Sequence, residues 1–250
     1  MVSAWLEGQI RPFARAHLNP VAAARERQYT CNLYFERKAR KQGFRVIAGA
    51  DEAGRGCLFG AVYAAAAVLD PDRPIRGLND SKQLDAEERE RLDREIRVKA
   101  TAFAVSAAGV AEIEQLNIYH AARLATLRAL LALNVTPDYL LLDYLRVDMD
   151  VAQLPLVKGD ARSRSIAAAS ILAKVARDRA MREWDKIYPQ YGFARHKGYG
   201  TPEHLAALAL YGPTPQHRIV YEPVAAVSPE VQLKRGQAPA QKSLFEEANN

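Results

Sequence analysis

Residues 44–69 read FRVIAGADEAGRGCLFGAVYAAAAVL. Residues 44–50 make a short apolar run ending in two carboxylates, Asp51 and Glu52. A short apolar run bounded by turn residues predicts a buried strand. The tetrapeptide Ala-Gly-Arg-Gly at 53–56 then turns the chain. Residues 61–69 form a second apolar run, closed by Asp-Pro-Asp-Arg-Pro. Alanine is a weak strand former, but the length and the bounding turns favour a strand here too. Residues 101–110 read as a third, so the three early strands predict a meander.

The rest of the chain adds helices and a crossover. Asp85 is placed to cap a helix, with Glu88 three residues on and Leu84 just before it. Leu92 and Ile96 share one face of that helix. A second helix is predicted over 118–133 from Ile118, Ala122, Leu127 and Leu131, and Asn134 and Pro137 end it. Residues 139–142 are continuously apolar, which predicts a strand buried on both faces and ending in Asp143. A short strand near 154–157 leads to Lys158-Gly159-Asp160. A long helix over 165–184 carries Ile166, Ala169, Ala173 and Ala176 on one side. A further helix starts at Thr201, with Pro202 at its first position, and stops at Gly212-Pro213. Residues 22–41 have helical character and many charges, and residues 1–20 read as an extension. The fold class expected is α/β: a mixed sheet flanked by helices, with a helical C-terminal region.

Lys and Arg number 35 against 29 Asp and Glu, a net charge of +6 that suits a polyanionic partner. The charge is clustered: residues 158–197 hold ten bases and four acids, and residues 80–95 hold seven acids and four bases. Two cysteines, Cys31 and Cys57, make neither a disulfide framework nor a closed zinc site, and they predict a reducing compartment. The first twenty residues do not read as a signal peptide, and no segment has the uncharged apolar length of a membrane span. The expected location is cytoplasmic, away from membranes.

Asp51 and Glu52 end one strand, Asp143 ends another, and Asp160 precedes a helix. Open α/β sheets place ligands at the carboxyl ends of neighbouring strands. Carboxylates brought together there repel one another unless a cation lies between them. A site of oxygen donors, without His or Cys, favours Mg²⁺ or Mn²⁺ and suits phosphate chemistry. Asp178 is a rival member. On a straight helix it lies about 20 Å from the helix start at ~1.5 Å per residue, so Asp160 is preferred and Asp178 is expected to pair with Arg177, Arg179 or Arg182. These residues alone leave three readings open: a metal-dependent nuclease, a non-catalytic nucleic-acid-binding module, and a phosphatase for a small substrate.

Five segments together resemble the ribonuclease HII family: IAGADEAGRG (47–56), LNDSKQL (78–84), LLLD (140–143), KGDARSRSIAAASILAKVARDR (158–179) and YGFARHKGYGTPEH (191–204). The resemblance spans residues 44–222 and implies a ribonuclease H-like fold. It implies an endonuclease that cuts the RNA strand of RNA/DNA hybrids and also cuts at single ribonucleotides in duplex DNA, leaving 5′-phosphate and 3′-hydroxyl ends. Asp51, Glu52, Asp143 and Asp160 would be both catalytic and metal-binding, with Mn²⁺ or Mg²⁺ as cofactor. Gly54, Arg55 and Gly56 would contact ribose 2′-hydroxyls, and Tyr199 would stack on the sugar at the RNA–DNA junction. Lys82 would face a phosphate, and Lys158, Arg195 and Lys197 join it as expected substrate contacts. The organisation expected is a partly helical extension over 1–43, a catalytic core over 44–184, a helical substrate-binding region over 185–224 and a flexible tail over 225–250, acting as a monomer. The chain departs from the family at Cys57 and Ala61, where prolines are usual, and at Tyr144, where a small residue is usual and a ring would crowd the rim.

Overall fold

The computed structural model describes residues 29–229. Five strands form one sheet: β1 (Ile47–Ala53), β2 (Val62–Val68), β3 (Ala102–Ala108), β4 (Tyr139–Asp143) and β5 (Ala152–Leu156), in the order β3-β2-β1-β4-β5. β1 pairs antiparallel with β2, and β2 with β3, which is the expected meander. β4 pairs parallel with β1 and β5 with β4, so the sheet is mixed. The helices are α1 (Tyr34–Lys41), α2 (Ala86–Lys99), α3 (Val110–Leu131), α4 (Arg164–Ile187), α5 (Phe193–His196), α6 (Pro202–Tyr211) and α7 (Glu222–Ala225).

The alanine run of β2 is explained by its two neighbours. Side chains alternate across a sheet. Ala65 and Ala67 lie against α2 and α4, whereas Ala64 and Ala66 lie on the side of α3 and β4. Small side chains let helices close on both faces, and that burial overrides weak strand propensity. The tightest approach is at Gly49 of β1, where an added Cβ would stand 2.1 Å from the carbonyl carbon of Ser165 in α4. Backbone cannot yield there as a flexible side chain can. Gly49→Ala is therefore expected to cost at least about 3 kcal/mol, the upper end for overpacking. That lowers Tm by roughly 6–12 °C at about 2–4 °C per kcal/mol. A melt within a degree of the parent would refute the close packing.

Capping follows the local sequence. Asp85 accepts from Glu88 N–H at the start of α2, Ser163 from Ile166 N–H at α4, and Thr201 from His204 N–H at α6. Several expected boundaries need correction. α3 begins eight residues before 118, with a break at Asn117 (φ 65°), and Leu131 is exposed while Ala121, Ala125 and Ala129 are buried. α1 starts at Tyr34; the expected helical stretch before residue 29 lies outside the described residues.

α1 is also not a mere extension of the core. Glu36, wholly buried, accepts from Ser163 Oγ at 2.7 Å and Ser165 N–H at 2.9 Å, tying α1 to the start of α4. Arg162 lies over the rings of Phe35 and Tyr29 and bonds the Val157 carbonyl, so it fastens α1 rather than facing solvent alone. At the other end, Ala225 and Ser228 are buried, so packing continues past 225. The remainder of the expected tail, and residues 1–28, lie outside the described residues.

Candidate metal centre and substrate-reading loops

Parallel pairing of β1 with β4 aligns Ala50 with Leu142, so Asp51 and Asp143 follow side by side at the strand ends. Asp160 arrives from the turn between β5 and α4. Asp51, Asp143 and Asp160 each offer an oxygen, and these oxygens lie within 4.8 Å of one another. An octahedral cation with oxygens at about 2.1 Å spans about 4.2 Å across, so small side-chain shifts bring all three to one ion. The cluster can coordinate a divalent metal.

Each carboxylate is held by a local donor. Glu52 N–H donates to Asp51 at 2.7 Å, Gly159 N–H to Asp143 at 2.7 Å, and Ala161 N–H to Asp160 at 2.9 Å. These bonds fix orientation but leave the charges poorly compensated. Burial, then Glu52 and Asp143, push the Asp51 carboxyl well above the usual range. Burial pushes Asp143 up against the opposing Gly159 and Lys82 contacts. Burial, then Asp143 and Asp80, raise Asp160 to about 6. A buried oxygen cluster that holds on to protons is the electrostatic signature of a place for a cation.

Glu52 stands beside this group rather than in it. Its Oε1 accepts from Arg55 at 3.2 Å, and burial raises its pKa although Arg55 opposes the shift. Lys82 approaches Asp160 at 3.9 Å with a side chain 80% exposed. Desolvation works against its charge, but Asp160, Asp80, Asp51 and Asp143 outweigh it and its pKa is raised. It is thus a cation held beside the cluster and open to solvent. Asp178 lies outside the cluster, as expected, but its main partner is Lys174 at 2.7 Å, with Arg177 farther off at 3.5 Å; Arg179 and Arg182 turn to Glu90 instead.

The loop after β1 has two different glycines. Gly54 has φ +96°, and an added Cβ would meet Arg177 Nε at 2.4 Å. Both its conformation and its contact require glycine. Gly56 has nothing within 4 Å of its missing Cβ, which leaves its backbone open to an approaching ligand. Next to it Cys57 is fully buried; burial pushes its thiol up despite Arg177 and Arg218, so it packs rather than reacts. A bridge joins Cys57 to Tyr199, and Leu58 N–H donates to Gly198 O at 2.9 Å. Tyr199 is 42% exposed, with the Arg177 guanidinium 5.1 Å from its ring centre.

The other expected contacts divide. Lys158 is exposed, at φ 55°. Arg195 pairs with Glu203 at the surface, and the Lys197 ammonium bonds the Ala194 carbonyl, a neutral partner that leaves its charge in place. His196 is buried between Tyr191 O and Gly198 N–H, a structural role. Tyr144, next to Asp143, sits at φ 61° and is 63% exposed. Sequence reasoning missed Glu36, His204, His217, Arg218 and Tyr221 and took Arg177 only as a partner of Asp178. Arg177 follows Ala173 by four residues on the buried stripe of α4, a signal that could have found it, whereas His217, Arg218 and Tyr221 lie outside helices, where there is no periodicity to read.

A family model described as ribonuclease HII matches residues 48–224. A ribonuclease HII of Solibacter usitatus is 54% identical over 201 residues, covering 80% of this chain and 88% of the relative. One from Bacillus licheniformis is 48% identical over 226 residues, covering 90% and 85%. Among solved structures, ribonuclease H2 of Pyrococcus horikoshii superposes with a TM-score of 0.64 at 25% identity, covering 75% of this chain and 99% of that one.

Proposed function

The chain belongs to the ribonuclease HII family, metal-dependent endonucleases for RNA/DNA hybrids, and from that premise we propose a division of labour among its residues. Asp51, Asp143 and Asp160 would hold a divalent cation among them, with Asp51 and Asp143 at the centre, Asp160 on one flank and Glu52 beside the group on the other. Mn²⁺ or Mg²⁺, when bound, lowers the pKa of water and offsets charge on the phosphodiester. Lys82 holds a phosphate next to the cluster. The open backbone around Gly56 and the exposed ring of Tyr199 meet the ribose 2′-hydroxyl and sugar at an RNA–DNA junction, the group that distinguishes RNA from DNA. Cleavage at a lone ribonucleotide fits such a reader beside the metal centre, and 5′-phosphate and 3′-hydroxyl ends correspond to attack of water on phosphorus with the 3′-oxygen as leaving group. Residues 44–184 serve as the catalytic core and 185–224 as the substrate-binding region. The protein acts as a cytoplasmic monomer; its two described cysteines are free, and among the described residues no helix is long and apolar enough to cross a membrane.

The convergence of Asp51, Asp143 and Asp160 from three chain segments is the observation that carries this reading. Hydrolysis of labelled hybrid and of duplex DNA with one ribonucleotide, with each metal and without, tests it. Cleavage without metal, or activity on a small phosphate ester that duplex cannot compete away, would overturn it. Tyr199→Ala is expected to reduce lone-ribonucleotide cleavage about tenfold, in line with aromatic stacking worth ~1–3 kcal/mol, while duplex binding weakens less. Equal losses in the two assays would remove the junction role from Tyr199.

A further inference from the structure

Behind Tyr199 lie two buried histidines, His204 and His217, that the hydrolysis does not use. Their hydrogen bonds admit one set of protons. Thr214 N–H donates to His217 Nδ1 at 2.9 Å, with Thr214 Oγ1 also 2.9 Å away. A ring nitrogen that accepts a backbone N–H carries no proton, so the His217 proton is on Nε2. That Nε2 is 3.1 Å from His204 Nε2. The contact is a hydrogen bond only if His204 Nε2 is bare, which puts the His204 proton on Nδ1. His204 Nδ1 is 2.9 Å from the Tyr199 carbonyl, which can only accept. Every link runs the same way. Burial keeps both rings neutral, lowering His204 and bringing His217 to about 3. His196 stacks on His204 with ring centres 4.6 Å apart and closes the far side.

We infer that His204 and His217 are positioning residues that set Tyr199 for junction recognition, through a one-way relay from Thr214 to His217 to His204 to the Tyr199 carbonyl. The residue after His217 extends the same grip to the opposite wall. Arg218, fully buried, donates to the Gly60 carbonyl at 2.8 Å and to the Arg55 carbonyl at 2.9 Å, and Tyr221 O–H bonds that same Arg55 oxygen. Arg218 N–H reaches Leu58 O at 2.8 Å. One short segment thus holds both the glycine loop and the tyrosine loop, and so sets the gap between them. This inference rests on the reading of Tyr199 and the 54–56 loop as the sensor of the ribose.

The relay predicts which substitutions are tolerated. Asn at 204 can place an amide N–H near the position of Nδ1, whereas Leu cannot; Gln at 217 can do the same for Nε2. His204→Leu is expected to lower kcat/KM at a lone ribonucleotide about tenfold, about 1.4 kcal/mol, with a much smaller loss on long hybrid. His204→Asn should recover most of it, and His217→Gln should outperform His217→Leu in the same way. Equal losses on both substrates, with no rescue by Asn or Gln, would overturn the relay. In a Tyr199→Ala background, His204→Leu should leave the substrate ratio unchanged, because coupled positions are not additive. If Tyr199→Ala itself leaves that ratio unaltered, the sensor reading fails. If Tyr199→Ala shifts the ratio and His204→Leu does not, only the relay fails. Nitrogen NMR of the unmodified protein gives a readout independent of folding in the variants: His204 protonated at Nδ1 and His217 at Nε2. The opposite tautomer at either ring would overturn the relay.

Discussion

Asp143→Asn is expected to fold, to lose hydrolysis by at least about a thousandfold, roughly 4 kcal/mol of transition-state stabilisation, and to be the more stable protein when metal is absent. The first part follows from geometry. The Asp143 oxygen that accepts from Gly159 N–H at 2.7 Å is retained by an asparagine carbonyl, so the β4 end keeps its anchor. What disappears is the charge that a cation shared with Asp51 and Asp160 requires. The stability part follows from proton linkage. Burial raises the pKa values of Asp51, Asp143 and Asp160, with Glu52 and Asp143 adding to the shift at Asp51, Asp80 at Asp143, and Asp143 and Asp80 at Asp160, so the folded metal-free protein holds protons that the unfolded chain releases. Their contribution to stability therefore falls as pH rises from the ordinary value of 3.8 through about 6, where Asp160 titrates. Removing one charge relieves this. Surface carboxylates such as Glu90 and Glu95 have lowered pKa values and tilt stability the opposite way in both proteins. The informative quantity is accordingly the difference in Tm between variant and parent without metal, which should grow in the variant's favour from about pH 4 to about pH 7. Added Mn²⁺ should raise the parent's Tm and the variant's far less. Parent-like turnover at saturating metal, or a Tm difference that shrinks with pH, would falsify the shared-cation assignment.

A second large effect is expected at Arg177, where function and stability should separate. Its side chain is fully buried, and one nitrogen bonds both Cys57 Sγ and the Lys197 carbonyl. It also touches the face of Tyr199 and fills the space a Cβ at Gly54 would need. Two walls of the proposed reader are thus supported by one guanidinium. That support is thermodynamically poor: Nε and Nη1 have no hydrogen-bond partner, and the Asp178 carboxylate, 3.5 Å from Nη1, is held more closely by Lys174. Orphaned buried donors cost about 1–3 kcal/mol each. Arg177→Met removes those donors along with the useful bonds, and these opposing changes nearly cancel. Tm should move by only a few degrees, while kcat/KM falls at least about tenfold because both loops lose a common support. A loss of activity explained by unfolding, or a folded variant with parental kcat/KM on both substrates, would count against this role.

Much of the site is legible in the sequence because its chemistry is tied to local pattern. Apolar runs that stop abruptly at Asp51 and Asp143 mark strand ends, and carboxylates at the carboxyl ends of neighbouring strands lie where open α/β sheets place ligands. Gly54 and Gly56 in a turn, and Asp85 and Thr201 at helix starts, are likewise local events. Arg195 and Lys197 show the limit of that reasoning. As charges in a basic stretch they resemble phosphate contacts, yet one is held by Glu203 and the other by a backbone carbonyl. Which partner a long flexible side chain takes depends on what the fold brings beside it.

The succession of strands along the chain, the carboxylates at their ends and the glycine turn belong to the sequence alone, because apolar run length, turn chemistry and backbone sterics act over a few residues. The separation of Asp51, Asp143 and Asp160, the side-by-side placement of the Gly54 and Tyr199 loops, and the proton assignments of His204 and His217 belong to the tertiary structure. Those depend on parallel pairing of β1 with β4 and on α4 crossing at Gly49, contacts between residues about a hundred positions apart that no local periodicity encodes.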